Sequence, residues 1–600
     1  MPRFVKTVLA VAVSGVLVAA QAADAQSTQK LLTRAKQALA PGGPAIEPTP
    51  VLRDLAVRLS SLRGAERRQA HALLARPTDG DADPQGSGYT VPEATPYCSA
   101  HFCVHYVTST EDAPSLSDGN GNSVPDYVET TATAAEYSRT VENDQLGWRL
   151  PKDDGDGKTD IYLKQLGGSG IYGYTAPDPE QQLPEDHSLY GYIVIDNDFQ
   201  QSEFPQYASP TTPLEVTLAH EYNHVLQFNY DAIQDTWMLE STAVWMEGEV
   251  YPAAFDYLQY LRGWVQLTSL PLTTFSTDPN DRDNVKVYGS AVWNKWLAAH
   301  YGAGVVRRAW EVSLDTDPAS FAVGAYDRAI KDNGGQDFAT EFSQFAAATA
   351  EWQAQNSGFQ EGSHYQEDVV RAGTADVNGA GGTIKLNHAT YALVEVHKIT
   401  ANQLKLGATA PAGTSAALAL VGREGGVPGG TMTVALKTLP SGGSGSVTID
   451  NPSRFARLTA VVINADSQLS GASAITGDWI YSRDSQPYYL RVTTDFTAPR
   501  VTRVSPRSGA KRVSRKTRVR VTFSEAIRGV TTKSLRLIAS NGRVVGAKVS
   551  APAGSRVATL TPRKALGRNR VYRVRVTTAV TDTAVNPLAL AATSAFRTAK

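Results

Sequence analysis

Cysteine is nearly absent from this chain: its 600 residues hold two, Cys98 and Cys103, in "PYCSAHFCVHY". A single pair five positions apart closes a local bridge in an oxidising compartment. It excludes a disulfide scaffold, so the domains must rely on apolar cores. Long apolar runs are also lacking: beyond the N-terminal segment, nothing approaches the ~20 apolar residues that a membrane-spanning helix needs. Acidic residues are scarce at one end. From Arg500 to Lys600, 23 Lys and Arg face only Glu525 and Asp582, so this stretch carries +21 in a chain whose total is −2. An acidic body is therefore joined to a basic tail, which suits non-specific, salt-sensitive docking on an anionic envelope polymer or extracellular nucleic acid, or is a solvated surface that balances the acidic body. No base-reading motif accompanies the charge, so no specific nucleic-acid partner is expected.

The N-terminal segment is different. Arg3 and Lys6 precede the apolar run "TVLAVAVSGVLVAA", and the small-residue sites "AQA" and "ADA" follow. Residues 1–25 thus read as a secretory signal peptide, ending at Ala22 or Ala25, and predict an exported, secreted or surface-associated monomer. Six hundred residues are too many for one core. Residues 26–92 read as a helical leader, closed by "TDGDADPQGSG"; such a leader is either an inhibitory pro-segment or a small helical cap. From 93 to 372, strand-like runs ("FCVHYVTS", "KTDIYLKQL", "YGYIVIDNDF") come before longer helical patterns, which is the order of an α+β domain. Short alternating segments separated by Gly, Pro and Ser turns then predict a β-sandwich over 375–494 and a second all-β unit over 498–600.

The stretch "LAHEYNHVLQ", residues 218–227, carries the chemistry. On a helix His220 and His224 project from one face a turn apart, a spacing at which two imidazoles reach one Zn²⁺. Glu221 lies about 100° around the helix, where a carboxylate reaches a metal-activated water without becoming a ligand. "TPLE" offers Thr212 as N-cap, Pro213 at the first helical position and Glu215 three residues after the cap. Leu214, Leu218, Tyr222, Val225 and Leu226 form an apolar stripe. A metzincin would continue with Gly at 227 and His at 230; Gln227 and Tyr230 exclude that class. The next acidic candidate is in "DTWMLESTAVWMEGEV", on a second helix capped by Asp235 or Thr236 and followed by Pro252. Glu240 precedes the small residues "STA", which allow two helices to approach closely.

"HEYNH" followed by "WMLESTAVWMEGE" resembles the gluzincin metallopeptidases, whose third zinc ligand is a Glu on a following helix. More narrowly, residues 97–302 resemble a family of secreted bacterial zinc metalloproteases, sharing "DGNGNSVPDYVE", "DIYL", "YIVIDNDF", the HExxH and the Glu helix. The resemblance implies an α+β zincin-like catalytic domain, zinc ligands His220, His224 and Glu240, and Glu221 as base. Tyr288, in "KVYGSAVWNKWL", is similar to the Tyr that precedes a Gly-containing helix in some gluzincins, and is the candidate oxyanion donor; packing would equally account for it. The 16-residue interval from His224 to Glu240 is shorter than in the best-known gluzincins and leaves Glu247 as a fallback. Glu247 sits ~10 Å further along the helix, so the two cannot share one metal. The last unit resembles bacterial Ig-like domains of the surface-layer type in "TAPRVTRVSPRSGA", "VRVTFSEAI" and "VYRVRVTTAVTDTAVNPLA". Such domains serve as spacers or surface-binding modules.

Three weaker features complete the reading. "GYIVIDNDF" is the candidate sheet-edge strand that holds an extended protein or peptide substrate. In "DGNGNSVPD", Asp118, Asn120, Asn122 and Asp126 alternate like Ca²⁺ ligands, with Asp154, Asp156 and Asp160 a weaker set; Asx turns give the same spacing. His101 and His105 alternate along a strand as structural residues. The expectation is a zinc endopeptidase with two β accessory domains. An envelope adhesin with an inactive zincin-like domain and a zinc hydrolase of another bond are the alternatives, the intact Glu221 arguing against the first.

Overall fold

The computed structural model describes residues 27–40, 42–44, 46–79, 88–276, 285–313, 321–397, 399–426, 429–471, 480–552 and 554–600. The signal-peptide segment lies outside them. The chain divides into two compact units, one of residues 1–267, 272–335 and 469–480, the other of residues 268–271, 336–468 and 481–600. Among the described residues no helix is long and apolar enough to cross a membrane.

The first unit opens with leader helices α1 (residues 27–39), α2 (Pro48–Arg58) and α3 (Gly64–Leu73). A five-stranded sheet follows, built from β1 (Tyr97–Cys98), β2 (Phe102–His105), β3 (Thr159–Lys164), β4 (Gly173–Pro177) and β5 (Gly191–Asp196). Its order is β1-β2-β3-β5-β4. β2, β3 and β5 run parallel, and β1 and β4 are antiparallel edges. Cys98 and Cys103 pair across β1 and β2 and form a disulfide. On one face, Tyr162, Tyr174, Tyr192 and Val194 pack with Leu32, Leu52, Leu55 and Leu73 of the leader. The other face meets α4 (Asp126–Arg139) and α5 (Thr211–Asp231), where the Phe102 and Tyr222 rings lie 5.2 Å apart. A sheet covered on both faces explains the near-continuous apolar runs of its interior strands.

α6 (Thr236–Val250) packs on α5 and on α7 (Ala291–Tyr301). The small residues after Glu240 admit that approach: Asn294 donates to the Ser241 carbonyl at 2.9 Å and the Trp310 indole to Thr242 Oγ1 at 3.3 Å.

The second unit holds two separate β cores, each enclosed by a pair of sheets. A five-stranded sheet (373–375, 390–396, 416–424, 431–439 and 457–464) faces a four-stranded one (382–386, 403–409, 444–450 and 486–493) across a core of Leu404, Leu406, Leu418, Leu420 and Val462. A four-stranded and a three-stranded sheet over 501–597 enclose a separate core that includes Val519, Val521, Leu537 and Val574. The helix Phe338–Ala348, expected within the 93–372 domain, instead belongs to this unit, with Phe342 6.3 Å from Tyr391. Periodicity marks its apolar face but does not name the partner.

Candidate metal centre

α5 begins at Thr211, one residue before the expected capping box, with Pro210 as N-cap and no side-chain cap bond. Thr212 is already inside the helix, so its hydroxyl does not cap it. α6 has Asp235 as N-cap, also without a side-chain bond, and ends just before Pro252. The turn between the two helices is held from the leader. Arg53 on α2, 1% exposed, donates to the carbonyls of Ala232 (3.2 Å) and Gln234 (2.8 Å) and to Thr236 Oγ1 (2.9 Å).

This hairpin brings His220, His224 and Glu240 together, one ligand atom of each lying within 4.8 Å of the others. His220 Nε2 is 3.4 Å from Glu240 Oε2, and His224 Nε2 is 3.7 Å from Glu240 Oε1. Ligands at ~2.1 Å from a tetrahedral Zn²⁺ stand about 3.4 Å apart, so the donor set has the size zinc requires. His224 and Glu240 are fully buried, yet His224 Nε2 and both Glu240 oxygens have no hydrogen-bond partner. Buried polar atoms left so are costly, and three converging on one point fit a cation between them. Burial alone would raise the Glu240 carboxyl; the charges of His224 and His220 reverse this and hold it at about 2.

Both imidazoles are oriented through their other nitrogen. His220 Nδ1 is 2.7 Å from Glu247 Oε1, and His224 Nδ1 is 2.8 Å from Gln227 Oε1. Gln227 Nε2 donates to Asn223 Oδ1 (2.7 Å) and the Leu239 carbonyl (3.1 Å), and Asn223 donates to the buried Glu142 at 2.9 Å. Carboxylate or amide oxygens on Nδ1 leave Nε2 to face a metal. Glu247, the fallback ligand, thus contacts the outer side of His220. Gln227, noted in the sequence only for excluding metzincins, orients His224; its i+3 position on the same helix was the signal for that contact.

Glu221 is 3% exposed, and burial raises its carboxyl above the ordinary range. Its Oε2 accepts from Thr175 Oγ1 at 2.8 Å and from Thr49 Oγ1 at 3.5 Å. His220, Glu221 and Tyr288 line one cavity of about 210 Å³, together with Tyr260 and Glu47. Tyr288 points its hydroxyl at Glu47 Oε2, 3.3 Å away. Burial, then the charges of Glu240 and Glu221, push the Glu47 carboxyl up to about 8. Glu47 and Thr49 went unnoticed in the sequence, where Pro48 at the start of α2 marks only a helix boundary.

The strand beside the cavity is β4. "GYIVID" is β5, an interior strand between β3 and β4, so the expectation that it forms the sheet edge is corrected. Its unbroken apolar run suits a strand paired on both sides, whereas β4 ends in Pro177, as edge strands can. β4 passes so close to α5 that a Cβ at Gly173 would stand 3.0 Å from Thr217 Cγ2 and 3.2 Å from Glu221 Cγ.

The Asx loops satisfy themselves. Asp118 accepts backbone N–H bonds from Gly121, Asn122 and Ser123, and Asp126 accepts one from Gly119. Asn120 and Asn122 both donate to Glu129. Asp154 and Asp160 pair with Arg76 at 2.9 and 2.5 Å, while Asp153, Asp154 and Asp156 form an exposed acidic group. His105 bridges Glu93 (2.8 Å) and Asp160 (3.1 Å), and His101 pairs with Glu136 at 2.7 Å.

Against known proteins, the clear likeness is at the C-terminal end. Residues 495–598 match the bacterial Ig-like domain family. The Ig-like domain comprises the two sheets over 501–597 and agrees with the predicted second all-β unit. No curated protein matches the chain. Among solved structures, the N-terminal part of the bacterial S-layer protein SbsC is 21% identical over 17% of this chain and 24% of its own, with a TM-score of 0.15. CopC from Methylosinus trichosporium OB3b is 19% identical over 17% of this chain and 93% of its own, with a TM-score of 0.14. The chain thus spans about a quarter of the first of these relatives. At these TM-scores neither likeness carries an argument about the His220 segment, whose reading rests on its own geometry.

Proposed function

We propose that this chain is an exported zinc-dependent endopeptidase, with a zincin-like catalytic domain and a basic Ig-like domain that docks it on an anionic surface. One observation carries the reading: the donors of His220, His224 and Glu240 converge, those of His224 and Glu240 buried and unpartnered, next to a cavity that also holds a carboxylate base. Those three residues would hold the zinc. When bound, it supplies a Lewis acid that polarises a carbonyl and lowers the pKa of water toward ~7.

The chain's own groups do the rest. Glu221, fixed by the Thr175 hydroxyl, takes a proton from the attacking water at its free oxygen and passes it to the leaving amine. Tyr288 donates to the oxyanion from across the cavity. β4 offers its outer edge to an extended peptide, adding the substrate as a further strand. An intact Glu221 in this position favours catalysis over an inactive binding module.

The test is cleavage of an unfolded protein by the zinc-loaded chain beside its Glu221→Gln variant. Removal of a positioned general base lowers the rate by about 10²–10⁴-fold, with zinc content unchanged. Zinc binding without cleavage by any form of the chain would refute the peptidase.

A further inference from the structure

Two groups that a substrate would need, the Tyr288 hydroxyl and the Thr175 N–H, are already in use, and one short stretch of the leader holds both and also touches the base on its non-reacting oxygen. The Tyr288 hydroxyl is directed at Glu47 Oε2, 3.3 Å away. Glu221 Oε2 accepts from Thr49 Oγ1 at 3.5 Å. The outward N–H of Thr175, in the middle of edge strand β4, donates to Thr49 Oγ1 at 3.0 Å. That N–H is one to which the carbonyl of an added peptide strand would bind. Ile46 and Glu47 line the cavity itself, and Ile46 is 3% exposed.

The stretch is held there firmly. Glu47 Oε1 accepts from the Thr49 N–H at 3.3 Å, which makes Glu47 the side-chain N-cap of α2. One turn further on, Arg53 locks α2 to the α5–α6 turn. The stretch is also a poor substrate. From Pro48 onward the chain is helical, and Pro48 and Pro50 have no N–H to give to β4.

We infer that residues 46–49 are a built-in occupant of the substrate cleft, and that they must withdraw before a polypeptide can enter. The inference rests on the cleft assignment made under the proposed function. Because α1–α3 supply one side of the core around the sheet, the leader is retained for folding while only its Ile46–Thr49 stretch blocks the site. A pro-segment and a structural cap, opposed in the sequence, are here one element.

The test uses the full zinc-loaded chain and a peptide hydroxamate as the probe. In the Glu47→Ala/Thr49→Ala variant, calorimetry should give at least tenfold tighter hydroxamate binding than in the parent, with equal zinc content and a cooperative melting transition that shows the variant folded. Cleavage of unfolded protein should show a lower KM with kcat little changed. Unchanged or weaker binding in the folded variant overturns the inference.

Hydrogen exchange on the unaltered chain gives a second reading that does not depend on the variant folding. Saturating hydroxamate should speed exchange at the Ile46, Glu47 and Thr49 amides and leave those of α1 and α3 unchanged. Unchanged exchange at 46–49 in the complex refutes the inference. Tighter hydroxamate binding with no cleavage by any form would remove the peptidase and leave the occluded cleft standing.

Discussion

Glu247 separates a ligand from a residue that orients one. It is 4% exposed, and its Oε1 lies 2.7 Å from His220 Nδ1, on the side of the ring away from Glu240. Removing such a partner of a metal-bound imidazole typically weakens metal binding about 10–100-fold, or about 1.4–2.8 kcal/mol. Glu247→Ala deletes the acceptor and should fall near the upper end of that range. Glu247→Gln keeps an acceptor oxygen and loses the charge, and should fall near the lower end. Glu240→Ala removes one of three donors and should weaken binding well beyond either. Zinc affinity is read by competition with a chromophoric chelator, with melting curves confirming that each variant folds. Unchanged affinity in folded Glu247→Ala would refute an orienting role. A loss equal to that of Glu240→Ala would make Glu247 the ligand.

Other outcomes follow from the same contacts. Gln227→Leu removes the Nδ1 partner of His224 and should lower zinc affinity about tenfold by chelator competition; no change would mean that packing alone orients the ring. Arg53→Ala strands the Ala232 and Gln234 carbonyls and should cost about 3 kcal/mol in denaturant unfolding; a loss below about 1 kcal/mol would show that the turn holds itself. At His105, burial lowers the pKa but the bonds to Asp160 and Glu93 outweigh it, so the folded value lies above 6.5. Its contribution to stability is therefore full below pH 6.5 and lost as pH rises through the raised value. Stability measured across that window should fall less with pH in His105→Asn than in the parent, and an identical profile would exclude the residue as its source.

Much of the candidate site's geometry was legible because its rules are local. The i, i+4 spacing puts His220 and His224 on one face, and a short turn returns the chain so that Glu240 meets them. The Cys98–Cys103 pair and the alternating strands of the C-terminal units were similarly local. What failed was pairing. Nothing within "GYIVID" tells whether it has one strand neighbour or two, and nothing within "FATEFSQFAAA" names the surface that covers its phenylalanines. Thr212 looked like a cap because the box pattern fits, yet the helix starts one residue earlier. Glu47 and Thr49 lie more than 120 positions before the residues they touch, a separation at which periodicity carries no information.

The leader's place in the core also affects how the chain can fold. Leu52 and Leu55 share a cluster with Tyr192 and Val194, well over a hundred residues later. Closing so long a loop is slow, and these contacts reward it only once the whole sheet exists. Until then the aromatic face of β3, β4 and β5 is bare, a surface on which partly made chains can aggregate. The helices that cover that face are synthesised first and are waiting when the strands emerge. Because residues 46–49 run into the first turn of α2, they come into place beside β4 with the same helix that covers the sheet, so on the proposed reading the cleft would form with its occupant already present.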